Sequence, residues 1–291
     1  MAEVKKEATR EGYGKALVEL GKINKNVVVL DADLNDSTKS DYFRAAFPDR
    51  FFNAGIAEQN MIGMAAGLSV SGKIPYASTF AIFSERAIEF TRNIVARNKL
   101  NVKIAGSHAG IHTGEDGKSA QAIEDIAFYR ALPYMTVIQP CDAVETKKAV
   151  FALADYNGPS YMRLLRNALP IIHDEDYKFQ IGIGDVLQEG SDVATFATGT
   201  MVHEAMGASE ILKKDKISVT VVNMHTIKPL DTSLITTLAK KTGCFVTAED
   251  HNVIGGLGSA IAEHTSQYCP VPIEMIGVQD HFGESGKPAE L

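Results

Sequence analysis

Short runs of β-branched and other apolar residues alternate with longer amphipathic segments along most of the chain. Eight runs are predicted strands: 26–33, 101–106, 134–140, 160–165, 192–198, 217–224, 243–250 and 272–278. Eight segments between or beside them are predicted helices: 9–23, 57–71, 84–98, 121–131, 142–156, 201–214, 231–242 and 257–268. This alternation is typical of an α/β fold with mostly parallel sheets flanked by helices.

A polar, proline-bearing stretch at residues 167 to 182 interrupts the alternation, which then resumes. The chain has 291 residues, enough for two cores of medium size. We therefore predict two domains, 1–175 and 176–291, each with its own mostly parallel sheet.

Charge and composition argue against several classes of protein. The chain has 29 Lys and Arg against 36 Asp and Glu and no basic block, so neither nucleic acid nor an anionic membrane is an expected partner. The sequence contains no signal-like or membrane-spanning apolar segment, and we expect a cytoplasmic protein. Its cysteines, Cys141, Cys244 and Cys269, lack metal-ligand spacing, and no metal site is predicted in this chain.

Ligands of open parallel sheets bind beyond the carboxyl ends of the strands, so the segments that follow strands are informative. The segment "GSHAGIHTGEDGKS" (106–119) has four glycines, two histidines and two acids, and is expected to be irregular. It fits either a functional loop or a solvated surface loop. The segment "GGLGS" (255–259) precedes a predicted helix and fits either a phosphate cradle or a tight turn.

Glu58 lies in a run of mainly small and apolar residues, "NAGIAEQNMIGMAAG" (53–67). A buried carboxylate must be paired, hydrogen-bonded or protonated, and a helix N-terminus is one place where it is satisfied. Farther along, Phe80 and Phe83 are three residues apart on a predicted helical face, with Arg86 next in the same row. Such a pair fits a hydrophobic core or a cofactor contact.

Seven segments in this order resemble the transketolase family: "ATREGYGKAL", "LDADLNDS", "AGIAEQNMIG", "YASTFAIFSERA", "GSHAGIHTGEDG", "QPCDAVE" and "EDHNVIGGLGSA". The similarity extends from about residue 8 to the closing "FGESG" and covers the pyrimidine-binding and C-terminal domains of that family. The family's diphosphate-binding domain, with its G-D-G…N magnesium motif, has no match in this sequence. The resemblance therefore implies the C-terminal subunit of a split transketolase.

The resemblance assigns a catalytic and cofactor-binding role to Glu58. The matching glutamate hydrogen-bonds N1′ of the aminopyrimidine of thiamine diphosphate and favours the imino form, which takes the proton from thiazolium C2. Phe80 and Phe83 match the aromatic residues that pack on the pyrimidine. Arg86 departs from the tyrosine of many bacterial members and is not assigned.

Substrate binding is implied for five further residues. Four match the groups that hold the sugar phosphate: Arg10, Ser37, His108 and Arg166. Asp116 matches a carboxylate that recognises a substrate hydroxyl. Lys118 and Ala120 are departures, since a proline and a histidine or glutamine usually occupy these places, and Gln121 or His112 is a possible replacement for the latter.

The implied reaction is the transfer of a two-carbon ketol unit from a ketose phosphate to an aldose phosphate, with thiamine diphosphate as cofactor. Mg²⁺ and its ligands are expected from an N-terminal partner subunit, in an assembly of two copies of each chain with contact between copies of this one. Two alternatives stay open. One is another thiamine diphosphate enzyme, either a 2-oxoacid dehydrogenase β subunit or a deoxyxylulose-phosphate synthase-like protein; the other is a non-catalytic regulatory or scaffold partner.

Overall fold

The computed structural model describes residues 5–291, and a seven-stranded sheet forms its first part. Its strands, in spatial order, are β12 (Thr226–Lys228), β6 (Thr136–Ile138), β7 (Ser160–Arg163), β5 (Lys103–Ser107), β4 (Ile74–Phe80), β2 (Val27–Asp31) and β3 (Phe51–Asn53). All neighbours are parallel except β12, which pairs antiparallel with β6. Strand β2, "VVVLD", is buried at every position, as expected for a strand covered on both faces.

A five-stranded sheet forms the second part. Its strands, in spatial order, are β14 (Ile273–Val278), β13 (Phe245–Asn252), β10 (Val193–Ala197), β11 (Val219–Asn223) and β9 (Asp185–Gln188). Only β9 is antiparallel to its neighbour. A separate antiparallel pair joins β1 (Lys6–Ala8) to β8 (Ala168–Pro170).

Helices connect and flank these strands. The α-helices are α1 (Thr9–Ile23), α2 (Asn35–Thr38), α3 (Asp41–Ala46), α4 (Glu58–Val70), α5 (Ala81–Ser84), α6 (Ile88–Phe90), α7 (Asp125–Ala131), α8 (Ala143–Asp155), α9 (Met201–Leu212), α10 (Thr232–Thr242) and α11 (Leu257–Tyr268). Short 3₁₀ and π segments are Pro48–Arg50, Glu85–Ala87, Thr91–Ala96, Ile111–Asp116 and Lys213–Asp215. Among the described residues, no helix is both long enough and apolar enough to traverse a bilayer.

The predicted α/β class is confirmed, and each of the eight predicted strands occurs within one or two residues of its expected start. Strand β4 was not predicted, and the helical face drawn through Phe80 is wrong because Phe80 is the last residue of that strand. Its sequence, "IPYASTF", contains a proline, a serine and a threonine, so its apolar residues do not form a strand-like pattern. Residues 111 to 116, expected to be irregular, form a 3₁₀ segment.

The two sheets share part of one hydrophobic core. A single cluster of buried side chains includes Val137 of β6 together with Phe196 of β10 and Phe245 of β13. Strand β12 lies beyond residue 175 in the chain and yet extends the first sheet. The proposed division of the chain at residue 175 stays a prediction.

The strand order places several candidate residues at one edge of the first sheet. Strands β2, β4 and β5 are adjacent and parallel, and they end at Asp31, Phe80 and Ser107. The connection from β2 to β3 runs to one side of β2, whereas β4 lies on the other, and this reversal of direction is where open α/β sheets bind ligands.

Candidate active site

Glu58 is the first residue of α4 and its side chain is 2% exposed. Within residues 5–291, no group donates a hydrogen bond to its carboxylate, and the nearest cation is Arg86, whose guanidinium nitrogen lies 3.5 Å from Oε2. The Arg86 side chain is 54% exposed, so the contact is partly solvated. The helix N-terminus favours the negative charge but does not replace a donor. Glu58 is thus a buried acceptor open to a donor from outside the chain.

Aromatic rings connect Glu58 to the glycine-rich loop. The Arg86 guanidinium lies over the Phe83 ring at 5.0 Å. Phe83 and Phe80 are stacked with centroids 5.5 Å apart, and Phe80 stacks on His108 at 3.8 Å. Side chains from α4, β4 and the end of β5 therefore form one continuous surface.

His108 follows β5 in a left-handed backbone conformation, with φ of +57°. Its Nδ1 lies 3.0 Å from Ser107 Oγ, and its Nε2 lies 3.3 Å from a guanidinium nitrogen of Arg10. Because arginine only donates, Nε2 must accept, which leaves the ring proton on Nδ1. Burial and the positive charges of Arg10, Arg166 and Lys39 lower the pKa of His108 to about 3. The imidazole is neutral at pH 7 in a field of cations.

Arg10 lies at the start of α1 and holds the neighbouring turn. Its guanidinium donates to the backbone carbonyl of Ser37 at 2.8 Å, and its buried Nε has no partner within the described part of the chain. Two residues after Ser37, Lys39 is mostly buried with Nζ 3.6 Å from Glu11. The sequence did not identify Lys39. Its charge acts on His108, which places it among the cations that could face a phosphate.

Arg166 and Asp116 form a second pair near His108. Their side chains are 3.1 Å apart and about one-third exposed, at 34% and 37%. The same Arg166 nitrogen also donates to the carbonyl of Thr113 at 3.3 Å. Both side chains therefore remain accessible to a ligand.

The structure brings the predicted residues into two linked groups. Arg10, Ser37 and His108 are in direct contact, and Arg166 acts on His108 electrostatically while it pairs with Asp116. Glu58 joins these groups through the rings. The individual roles stay predictions, but the predicted residues are neighbours although they come from distant parts of the sequence.

The loop that carries Asp116 is tightly anchored. The side-chain amide of Gln121 donates to the backbone carbonyls of Ile111, Gly114 and Glu284 at 3.4, 3.2 and 2.9 Å. Asp250 of β13 also accepts a hydrogen bond from the backbone amide of Ile111 in this loop. Gln121 therefore has its donor engaged within the chain. Asp250 was not singled out in the sequence, although the "EDH" after a strand was the available signal.

Glu249 occupies the turn formed by "GGLGS". Its carboxylate accepts from the amides of Leu257 and Gly258 at 2.7 and 2.9 Å, at the start of α11. A Cβ at Gly256 would lie 1.9 Å from Glu249 Oε2. Burial raises the pKa of Glu249 to about 7. The chain's own carboxylate thus takes the place of a phosphate, which favours the structural reading of this motif.

The residues around Glu58 fit an aminopyrimidine. A carboxyl group without a donor suits a protonated ring nitrogen, and the Phe80 and Phe83 rings offer aromatic surface. In residues 5–291, one buried cluster has the side chains of a metal site, namely Cys141, Asp142 and His173. However, both His173 nitrogens already face carboxylates, at 2.8 Å from Asp142 and 3.1 Å from Asp185.

Comparisons with known proteins agree with this geometry. The family of the transketolase pyrimidine-binding domain matches residues 5–171, and that of the transketolase C-terminal domain matches residues 182–291. A Methanocaldococcus jannaschii protein named "Putative transketolase C-terminal section" is 52% identical over 97% of this chain and 90% of its own length. Human transketolase is 40% identical over 98% of this chain, which spans 46% of the human protein.

A solved structure described as "Split gene transketolase, inactive beta4 tetramer" has the same fold. It superposes with a TM-score of 0.88 at 52% identity, over 94% of this chain and 90% of that one.

Proposed function

The chain belongs to the transketolase family, and from that premise we propose that it is the C-terminal subunit of a two-chain transketolase. The proposed reaction transfers a two-carbon ketol unit from a ketose phosphate to an aldose phosphate. Membership of the family implies dependence on thiamine diphosphate. When bound, this cofactor supplies the nucleophilic carbon that carries the ketol unit.

The observation that carries the proposal is the environment of Glu58. Its carboxyl group is buried and accepts no hydrogen bond within residues 5–291. Its one cation neighbour there, Arg86, lies over Phe83, which stacks on Phe80. In the proposed role, Glu58 holds the proton at N1′ of the aminopyrimidine, and Phe80 and Phe83 orient the ring toward it.

Phosphate binding is assigned to the cationic group around His108. Arg10 and Arg166 are suited to oxyanions because each guanidinium offers several donors in a fixed geometry. Neutral His108 has its proton on Nδ1, toward Ser107, and accepts from Arg10 at Nε2, so in this arrangement it orients Arg10 and has no N–H free for a phosphate. Ser37 positions Arg10 through its carbonyl, and its hydroxyl is the predicted phosphate contact. Asp116 would accept a hydrogen bond from a substrate hydroxyl.

A partner subunit is part of the proposal. A relative of which this chain covers 90% is named a transketolase C-terminal section, and the similar solved protein is described as a split-gene transketolase that is inactive as a tetramer of β chains. Both facts support a separate N-terminal subunit that supplies the diphosphate site and the Mg²⁺ ligands. An assembly with two copies of each chain would place each active site between subunits.

The test is ketol transfer from xylulose 5-phosphate to ribose 5-phosphate with added thiamine diphosphate and Mg²⁺. The chain is assayed in complex with its native partner and again after the partner has been removed. We expect activity only in the complex and, by calorimetry, much weaker cofactor binding to the lone chain. Turnover of pyruvate in place of the ketose phosphate would indicate a different thiamine enzyme. A complex that binds no cofactor at stoichiometric level would indicate a non-catalytic partner.

A further inference from the structure

The segment that carries Asp116 is held by a carboxylate from the other sheet. Asp250, in β13, accepts from the amide of Ile111 at 2.9 Å with Oδ1 and from the amide of His112 at 3.3 Å with Oδ2. These are the first two amides of the 3₁₀ segment Ile111–Asp116, which have no partners within the segment itself. Asp250 thus caps this segment from a position 139 residues away in the chain.

Gly110 makes the close approach of Asp250 possible. Its φ is +74°, in the left-handed region, and a Cβ there would lie 2.1 Å from Asp250 Oδ2. At this position the backbone of the loop packs directly against the Asp250 carboxylate, with no side chain between them. Any side chain at this position would push the two apart.

Asp250 is itself fixed. The residue is 3% exposed, and its backbone carbonyl accepts from Arg163 of β7 at 2.8 Å. Arg163 in turn pairs with Asp125 at 2.9 Å. Burial raises the pKa of Asp250 to about 6, against the opposing effects of Arg163 and the two amides, so the group is a carboxylate at neutral pH.

We infer that Asp250 is a positioning residue through which the second sheet sets the conformation of the substrate-binding loop. It touches neither Arg166 nor Asp116, but it fixes the first turn of the segment Ile111–Asp116, which bends at Gly114 (φ +79°) before it reaches Asp116. Small displacements of binding groups have large kinetic effects. The kinetic part of this inference rests on the proposed function, whereas the structural part does not.

The first test is hydrogen–deuterium exchange of Asp250→Asn in the full chain. The amide of asparagine has the shape of the carboxylate but turns one acceptor into a donor that faces a backbone amide. Exchange at residues 111 to 116 should become at least tenfold faster, since one charge-assisted hydrogen bond is lost. The matched control is Asp231→Asn, because Asp231 also accepts from two amides, those of Leu234 and Gly184, at 2.9 and 3.0 Å. Unchanged exchange at 111 to 116 would overturn the inference.

The second test is kinetic and uses the complex with its native partner. For Asp250→Asn we expect KM for the ketose phosphate to rise roughly tenfold, with a smaller change in kcat. Asp231→Asn should leave KM unchanged. A fall in kcat at constant KM would indicate loss of folded protein and would overturn the positioning role. If the wild-type complex lacks ketol transfer while exchange responds as expected, the proposed function fails and the anchoring stands.

A substitution from the loop side provides an independent check. Gly110→Ala should produce the same faster exchange, because its Cβ displaces the Asp250 carboxylate. The double variant should be no worse than Gly110→Ala alone, since both changes break one contact. Additive effects would mean that the two residues act separately and would overturn the inference.

Discussion

The two sheets both place acidic residues near the carboxyl ends of their strands, but they use them differently. In the first, Glu58 is buried and accepts no hydrogen bond from residues 5–291, and Asp116 is partly exposed. In the second, Glu249 and Asp250 each accept two backbone amides of the chain itself. Position in the fold therefore indicates where ligands could bind. The hydrogen bonds decide which carboxylates are free to bind them.

The difference has an energetic consequence. A buried carboxylate that already accepts two hydrogen bonds satisfies two backbone amides, and its removal leaves both amides without partners. A buried carboxylate without a donor contributes little of this kind and is retained at a cost. Substitutions at the first edge should therefore impair activity, and substitutions at the second should impair stability.

The largest expected effect is on activity, from Glu58→Gln. An amide cannot hold the proton at N1′ as a carboxyl group does, and we expect kcat of the complex to fall by about 10²- to 10⁴-fold. The melting temperature should change little, because no hydrogen bond within the described residues is lost and the ion pair with the half-exposed Arg86 is solvated. The control is Glu210→Gln on α9, which alters an exposed glutamate. Wild-type turnover in Glu58→Gln would show that Glu58 has no catalytic role and would contradict the difference drawn between the two sheets.

The sequence predicted the elements that carry this site better than the contacts within it. Glu58 was recognisable because it begins a helix made mainly of small and apolar residues. Strand β4 was missed because its serine and threonine are buried in a parallel sheet, where burial does not require an apolar residue. The anchoring of the loop by Asp250 depends on tertiary structure, since the contact joins residues 139 positions apart. No local pattern encodes such a contact.

A stability effect of intermediate size is expected from Gly256→Ala. The new Cβ would collide with Glu249 Oε2, and overpacking of this kind costs about 1–3 kcal/mol in the free energy of unfolding. The control is Gly207→Ala in α9, where nothing lies within 4 Å of the new Cβ and the helix should gain about 0.5–1 kcal/mol. Both are measured by denaturant unfolding. A loss of ketol transfer in Gly256→Ala without a loss of stability would show that the second edge also binds a ligand.

A smaller effect on activity is expected from Arg166→Lys. Lysine keeps the charge but loses the paired donors of the guanidinium, and KM for a ketose phosphate should rise roughly tenfold. KM for an unphosphorylated ketose should stay the same, which separates phosphate binding from general damage. Arg44→Lys, at an exposed position of α3, is the matched control. An equal rise in KM for the phosphorylated and the unphosphorylated ketose would indicate that Arg166 does not contact the phosphate.

The smallest expected effect is at the junction of the two sheets, where two carboxylates again stabilise the fold instead of binding a ligand. His173 lies between Asp142, which precedes α8, and Asp185 of β9. Burial lowers the pKa of His173, but the hydrogen bonds to these two carboxylates outweigh it and raise the pKa to about 10. Because the pKa is higher in the folded state, this stabilisation is complete below about pH 6.5 and is lost as the pH rises toward 10.

His173→Gln should therefore lower the free energy of unfolding by about 1 kcal/mol at pH 6. The difference from the wild type should shrink as the pH approaches 10, because the wild type loses the charged imidazole there. Cys141 and Tyr177 lie nearby and burial raises the pKa of each, so only the difference between the two proteins at each pH is interpreted. Asp185→Asn, which changes the second carboxylate partner of His173, should also weaken the pH dependence of the free energy of unfolding. A difference that stays constant across this range would mean that His173 is neutral in the folded chain and that the carboxylates at the junction are satisfied by other groups.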